Sequence, residues 1–147
     1  ELDDEALGKL TLNRELDWLE GEIPWGDGRM NLSLEIDTED TETWDKVRAF
    51  ARKLATDAAR WDSELRRFAA KELTELANDW QSSDEENENA PELTEEDFMR
   101  RIQPESLVLS WDGNLVAYYD DDDLFFGHVI EISGTESEGL KYANIAG

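Results

Sequence analysis

The chain has 147 residues, 39% hydrophobic and 10% aromatic with six Trp, a composition that suits one folded domain with a proper core. It carries 38 acidic against 14 basic residues, a net charge of −24. That balance excludes nucleic-acid binding through a basic face and disfavours anionic membranes, because both need Lys and Arg to meet phosphate. With no Cys and a single His, His128, disulfides, thiolate metal sites, cysteine nucleophiles and any site needing two His from one chain are excluded.

Glu1 to Ala6 is acidic and is expected to fray. Leu7 to Leu12 reads as a short strand, Asn13-Arg14-Glu15 as a turn, and Trp18 to Ile23 as a second strand. Pro24-Trp25-Gly26-Asp27-Gly28 carries turn chemistry, with an Asp-Gly pair that accepts positive φ. Met30 to Ile36 alternates cleanly. Met30, Leu32, Leu34 and Ile36 oppose Asn31, Ser33 and Glu35, so one face is buried and the other wet. These three strands predict an antiparallel meander.

Thr41 to Gln81 holds no Gly or Pro. Its apolar residues, from Trp44, Val47, Ala51 and Leu54 to Leu73, Leu76 and Trp80, recur at helical spacing. Asp40 or Thr41 is the expected N-cap. A straight helix over this stretch would run ~60 Å at about 1.5 Å per residue, against a domain diameter near ~40 Å. A break or strong bend is therefore predicted around Arg60 to Ser63, with Asp62 or Ser63 capping a second helix.

Gln81 to Glu92 is polar and acidic and predicts a solvated loop. Thr94 opens a short helix, acidic in its first turn and basic in its last at Arg100 and Arg101, with Phe98 and Ile102 on its buried side. Pro104 ends it. Ser106 to Trp111 and Leu115 to Tyr119 flank Asp112-Gly113-Asn114, a hairpin signal. Asp120 to Asp123 makes the next turn. Leu124 to Ser133 reads as a third strand of this group and Leu140 to Ile145 as a fourth. The expected architecture is a single α+β domain over residues 1–147. Three N-terminal and three or four C-terminal strands form an antiparallel sheet, one long bent helix or two helices pack on it, and an acidic loop lies at about 81–92.

Asp120, Asp121, Asp122 and Asp123 are the candidate metal ligands. Four carboxylates in one turn repel one another unless screened or bound to a hard cation such as Ca2+. An EF-hand loop would need Gly at its sixth position, where this chain has Phe125. His128 falls at period two with Leu124, Phe126, Ile130 and Ile132. One reading makes it a general base oriented by an Asp of the preceding turn. The other makes it a core-edge His bonded to backbone or to a carboxylate. Trp18, Trp25 and Trp111 lie on strands or turns and would mark a binding surface if exposed together. Trp44, Trp61 and Trp80 fall on the helical stripe and read as core. Glu20 and Glu22 would stand about 7 Å apart on one strand face, but such pairs are too common in so acidic a chain to signal a glycosidase. No catalytic set and no Gly-rich phosphate loop is recognisable.

Several stretches share one further property. Leu7-Gly8-Lys9-Leu10 and Trp18-Leu19-Glu20-Gly21 are followed by Phe68-Ala69-Ala70-Lys71-Glu72-Leu73 and Leu76-Ala77-Asn78-Asp79-Trp80. Then come Asp123-Leu124-Phe125-Phe126-Gly127-His128 and a terminal Ile145-Ala146-Gly147. In order and spacing they resemble an uncharacterised bacterial family, domain of unknown function 2262. The resemblance spans nearly the whole chain. It implies a bacterial, soluble domain and brings no activity or catalytic residues with it.

The leading expectation is a non-enzymatic, cytoplasmic interaction domain of the immunity or accessory type, whose acidic surface binds a basic protein partner. One alternative is a small divalent-cation-binding domain or enzyme centred on His128 and Asp120 to Asp123. Another is a structural module of a longer protein. No apolar run approaches the ~18 residues of a membrane span, and no signal peptide is recognisable. Nothing in the sequence fixes the oligomeric state.

Overall fold

Alternation of apolar and polar residues builds eight strands among the described residues, and in the computed structural model they join in one sheet in chain order. The structure describes residues 1–84, 86 and 91–146. β1 (Leu2–Asp4), β2 (Gly8–Asn13), β3 (Trp18–Trp25) and β4 (Gly28–Glu35) run antiparallel to one another. So do β5 (Gln103–Ser110), β6 (Asn114–Asp120), β7 (Val129–Thr135) and β8 (Gly139–Ala146). The two runs meet where β4 lies parallel to β5, with Leu32 beside Leu107 and Leu34 beside Leu109.

This corrects the expected antiparallel sheet of three N-terminal and three or four C-terminal strands. The sheet is mixed, has eight strands and outweighs the helices, 39% strand against 34% helix. Periodicity marks strands but not their neighbours. Parallel neighbours need a long crossover, and here the whole helical segment serves as one.

The first strand is concealed by its charge. Leu2–Asp4 pairs with β2 instead of fraying, and Asp4 is buried. Its carboxylate accepts from the amides of Ala6 and Leu7 at 2.9 and 3.2 Å. It also accepts from the Arg52 and Arg48 guanidinium groups at 2.6 and 3.3 Å. Only the fold brings two helical Arg to a residue that the sequence presents as one of many solvated acids.

The helical stretch divides into α1 (Thr41–Ala55) and α2 (Ala58–Ser82). Asp40 caps α1 by accepting the Glu42 amide at 3.1 Å. The break falls at Thr56 and Asp57, ahead of the expected Arg60 to Ser63, and Asp62 lies inside α2 rather than capping it. Thr56 supplies a physical reason. Its hydroxyl donates to the Arg52 carbonyl at 2.8 Å, a back-bond that bends helices, and Asp57 then leaves helical geometry at φ −131°. α3 (Glu95–Arg101) starts in a reciprocal capping box between Thr94 and Asp97. Of the acidic loop expected at about 81–92, positions 85 and 87–90 lie outside the described residues, and its first positions, Gln81 and Ser82, belong to α2.

The helices pack on one face of the sheet. Inward strand residues such as Leu19, Met30, Leu34, Leu109 and Ile132 are buried with Val47, Leu54, Leu65 and Leu73 of the helices. Each such aliphatic side chain contributes roughly 1.5–3 kcal/mol by leaving water. The alternate residues, among them Glu22, Asn31, Tyr118 and Glu131, face the other way and stay exposed or half-buried. The sheet therefore has one covered and one open face.

Candidate functional site

The strand expected over Leu124 to Ser133 begins only at Val129. Asp122, Asp123, Phe126 and Gly127 hold positive φ of 49°, 61°, 58° and 91°, so the chain coils through a tight loop before entering β7. His128 therefore does not share a strand face with Leu124 and Phe126.

Asp121 organises the loop. It is 1% exposed. Its Oδ1 accepts the Asp123 amide at 3.1 Å, and its Oδ2 accepts the amides of Phe125, Gly127 and His128 at 2.9, 3.1 and 3.1 Å. The Asp122 amide donates to Asp120, and the Asp122 carboxylate takes Arg101 of α3 at 2.8 Å. The side chains of Asp120, Asp121 and Asp122 thus serve different partners. Among the described residues, no group of three or more acidic or His side chains converges on a point where a metal ion could sit. The crowded charge is felt nearby: partial desolvation, reinforced by Asp120 and Asp121, pushes the Glu105 carboxyl above its ordinary value.

The coiled backbone presents an aromatic platform. Trp80, at the end of α2, meets Phe125 edge-on at 5.5 Å, Phe126 in a tilted stack at 5.6 Å and His128 edge-on at 5.4 Å. Phe125 is fully buried, whereas Phe126 is 50% exposed. The His128 ring turns Nδ1 to the Phe125 carbonyl. A carbonyl only accepts, so Nδ1 carries a proton. The ring is oriented by this carbonyl rather than by an Asp of the turn, and Asp121 binds the His128 backbone instead. Gln81 ties the helix to the loop by donating to the carbonyls of Asp123 and Leu124, both at 3.0 Å.

The other candidate residues lie elsewhere. Trp25 is fully buried and Trp18 half-buried, while Trp111 is 43% exposed at the β5–β6 turn. Trp18, Trp25 and Trp111 therefore form no common exposed surface. Trp18 donates to Glu20 at 2.6 Å, and Lys46 lies 6.0 Å from the Trp111 ring centre.

A family model described as an uncharacterised protein conserved in bacteria (DUF2262) matches residues 4–145. The chain belongs to this family. No curated protein and no solved structure matches it. The DUF2262 match begins at the buried Asp4, ends inside β8 and contains the whole Asp120–His128 loop.

Sequence reasoning missed a second polar cluster in this DUF2262 domain. Trp25 Nε1 donates to the Tyr119 hydroxyl at 2.9 Å, which donates to Asp62 at 2.6 Å. Arg66 donates to both Asp62 oxygens at 3.0 and 2.9 Å, and to the carbonyls of Met99 and Ile102 at 2.6 and 2.5 Å. The chain of bonds locks α2 to β3 and β6 and to the end of α3, where it takes the carbonyls of Met99 and the capping Ile102. Burial, then the neighbouring Asp62 charge, pushes the Tyr119 hydroxyl far above its ordinary value, so it stays a proton donor. Asp62 and Arg66 also line a cleft of about 510 Å³ with Gly26, Gly28 and Pro104. The i, i+4 spacing of Asp62 and Arg66 was the available signal. Their partners on β3 and β6 had none.

Proposed function

We propose that the domain is an interaction module that holds a basic protein partner through the Asp120–His128 loop. The observation that carries this reading is Phe126: a large aromatic ring held half in water on a left-handed backbone that most side chains avoid. The Asp121 amide bonds fix that backbone, and Trp80 supports the ring from behind. Exposed aromatic residues on rigid supports anchor protein contacts. Here Asp120 to Asp123 precede the anchor and Asp79 adjoins its support Trp80 in sequence, in a chain of net charge −24. Lys and Arg side chains fit such a surface twice, by ion pairing at the rim and by lying over aromatic faces. The role is that of an accessory protein, whose effect is exerted by occupying its partner.

Calorimetry with a Lys-rich peptide tests the reading. Binding is expected at about 10 mM ionic strength and should weaken towards ~150 mM, as the Debye length falls from roughly 30 to 8 Å. Phe126→Ala leaves the charge unchanged and should lower affinity about tenfold, a typical loss for an interface anchor. Glu15→Gln, which removes an exposed charge in a different loop, should have little effect. Equal losses from the two variants would show charge without a site, and would overturn the reading.

A further inference from the structure

The two edges of the sheet are unlike. β1 is three residues long and carries two Asp. β8 is eight residues long, Gly139–Ala146, and contains no Asp, Glu or Pro. Its one charge, Lys141, is turned back to Glu138. Among the described residues β8 pairs with β7 alone, so its outer row of N–H and C=O groups has no strand partner among them. None of its eight residues is buried, whereas every other strand buries at least one. Natural sheets blunt such edges with charge, Pro, bulges or brevity. This protein applies two of those devices at β1; β8 has one irregularity, where it pairs with Ser133 and Gly134, and one charge, Lys141, and its stretch 142–146 carries neither.

We propose that β8 is a strand-addition edge: an extended segment of a basic partner pairs with Gly139–Ala146 through main-chain hydrogen bonds. The proposal rests on the interaction reading above and specifies how the partner docks. Three observations say what occupies the edge. Ala143 and Ile145 lean towards the core, so alternate side chains of the added strand find apolar neighbours on the helix side. Tyr142, 63% exposed, and Asn144 lie on the open face beside Ser133 and Glu131, where Lys or Arg is favoured. The edge is also continuous with the aromatic loop. Ala146 pairs with Val129, directly after His128, so a strand laid along β8 ends beside the Trp80–Phe126–His128 platform. A second copy of this chain would bring another 24 negative charges to the same edge, which favours a basic occupant over self-pairing. Main-chain pairing supplies affinity and alternate side chains supply selectivity, as in other edge-binding modules.

The test uses two octapeptides of alternating Lys and Val, one ordinary and one N-methylated along its backbone. The two carry equal charge, but only the first can donate main-chain hydrogen bonds. The ordinary peptide is expected to slow hydrogen exchange of amides in 139–146 by about tenfold or more, with no comparable protection from its methylated counterpart. If both peptides bind equally and leave β8 unprotected, strand addition fails while the acidic-interaction reading stands. If neither binds at about 10 mM ionic strength, both fail. A dimer by light scattering, with β8 amides already protected in the free protein, would assign the edge to a second copy and overturn the proposal.

Discussion

Asp121 sets one buried carboxylate against four backbone amides. An amide side chain in its place has one acceptor and one donor group, so Asp121→Asn forces donors to face donors. A loss of about 2–3 kcal/mol is expected, the scale of hydrogen bonds to a buried charge, read from the urea midpoint. A change below ~0.5 kcal/mol, the range of ordinary surface substitutions, would mean that the loop is held by other contacts. Phe126 permits a cleaner comparison. Gly and Ala both remove the ring, but only Ala keeps a Cβ at φ 58°. Phe126→Gly is therefore expected to be more stable than Phe126→Ala by about 1 kcal/mol, while both lose peptide affinity alike. Equal stability of the two would argue that the loop relaxes when the ring is gone.

Each strand group is tied to the helices by buried charge, and Asp4 gives that tie a pH dependence. Burial alone would raise its pKa. The hydrogen bond and charge of Arg52, with the amides of Ala6 and Leu7, overcome this and lower it from 3.8 to about 2. A lowered carboxylate pKa contributes stability that is fully present above the unfolded value and is lost as pH falls through 3.8 towards 2. The difference corresponds to about 2 kcal/mol. Wild type and Asp4→Asn should accordingly converge in stability between roughly pH 5 and 2, and parallel curves would contradict the assignment. β1 was invisible in the sequence for the same reason that it is stable: its acid needs two Arg more than forty residues away. The meander of β2 to β4, the capped start of α1, the helix start at Thr94 and the β5–β6 hairpin were legible, because each depends on residues close together in the chain. Residues 124–128 were misread as strand, since period two cannot see the positive φ of Phe126.

At the scale of the whole molecule, net charge −24 opposes compaction. Raising ionic strength from about 0.01 to 0.15 M shortens the Debye length from roughly 30 to 8 Å, so the melting temperature is expected to rise by several degrees. A fall, measured by calorimetry, would mean that exposed ion pairs outweigh the repulsion. The parallel seam between β4 and β5 carries a different consequence, one that belongs to time. β4 finds its outer neighbour at once in β3, but residues 36–102 must be made before β5 exists. At ~5–20 residues per second the ribosome takes on the order of ten seconds to supply it. For that interval the future centre of the sheet is a bare edge, and pairings so distant in sequence are slow to form even then. Two nascent chains side by side could satisfy each other first, one lending its β4 and the other its β5, and leave the ribosome with halves exchanged.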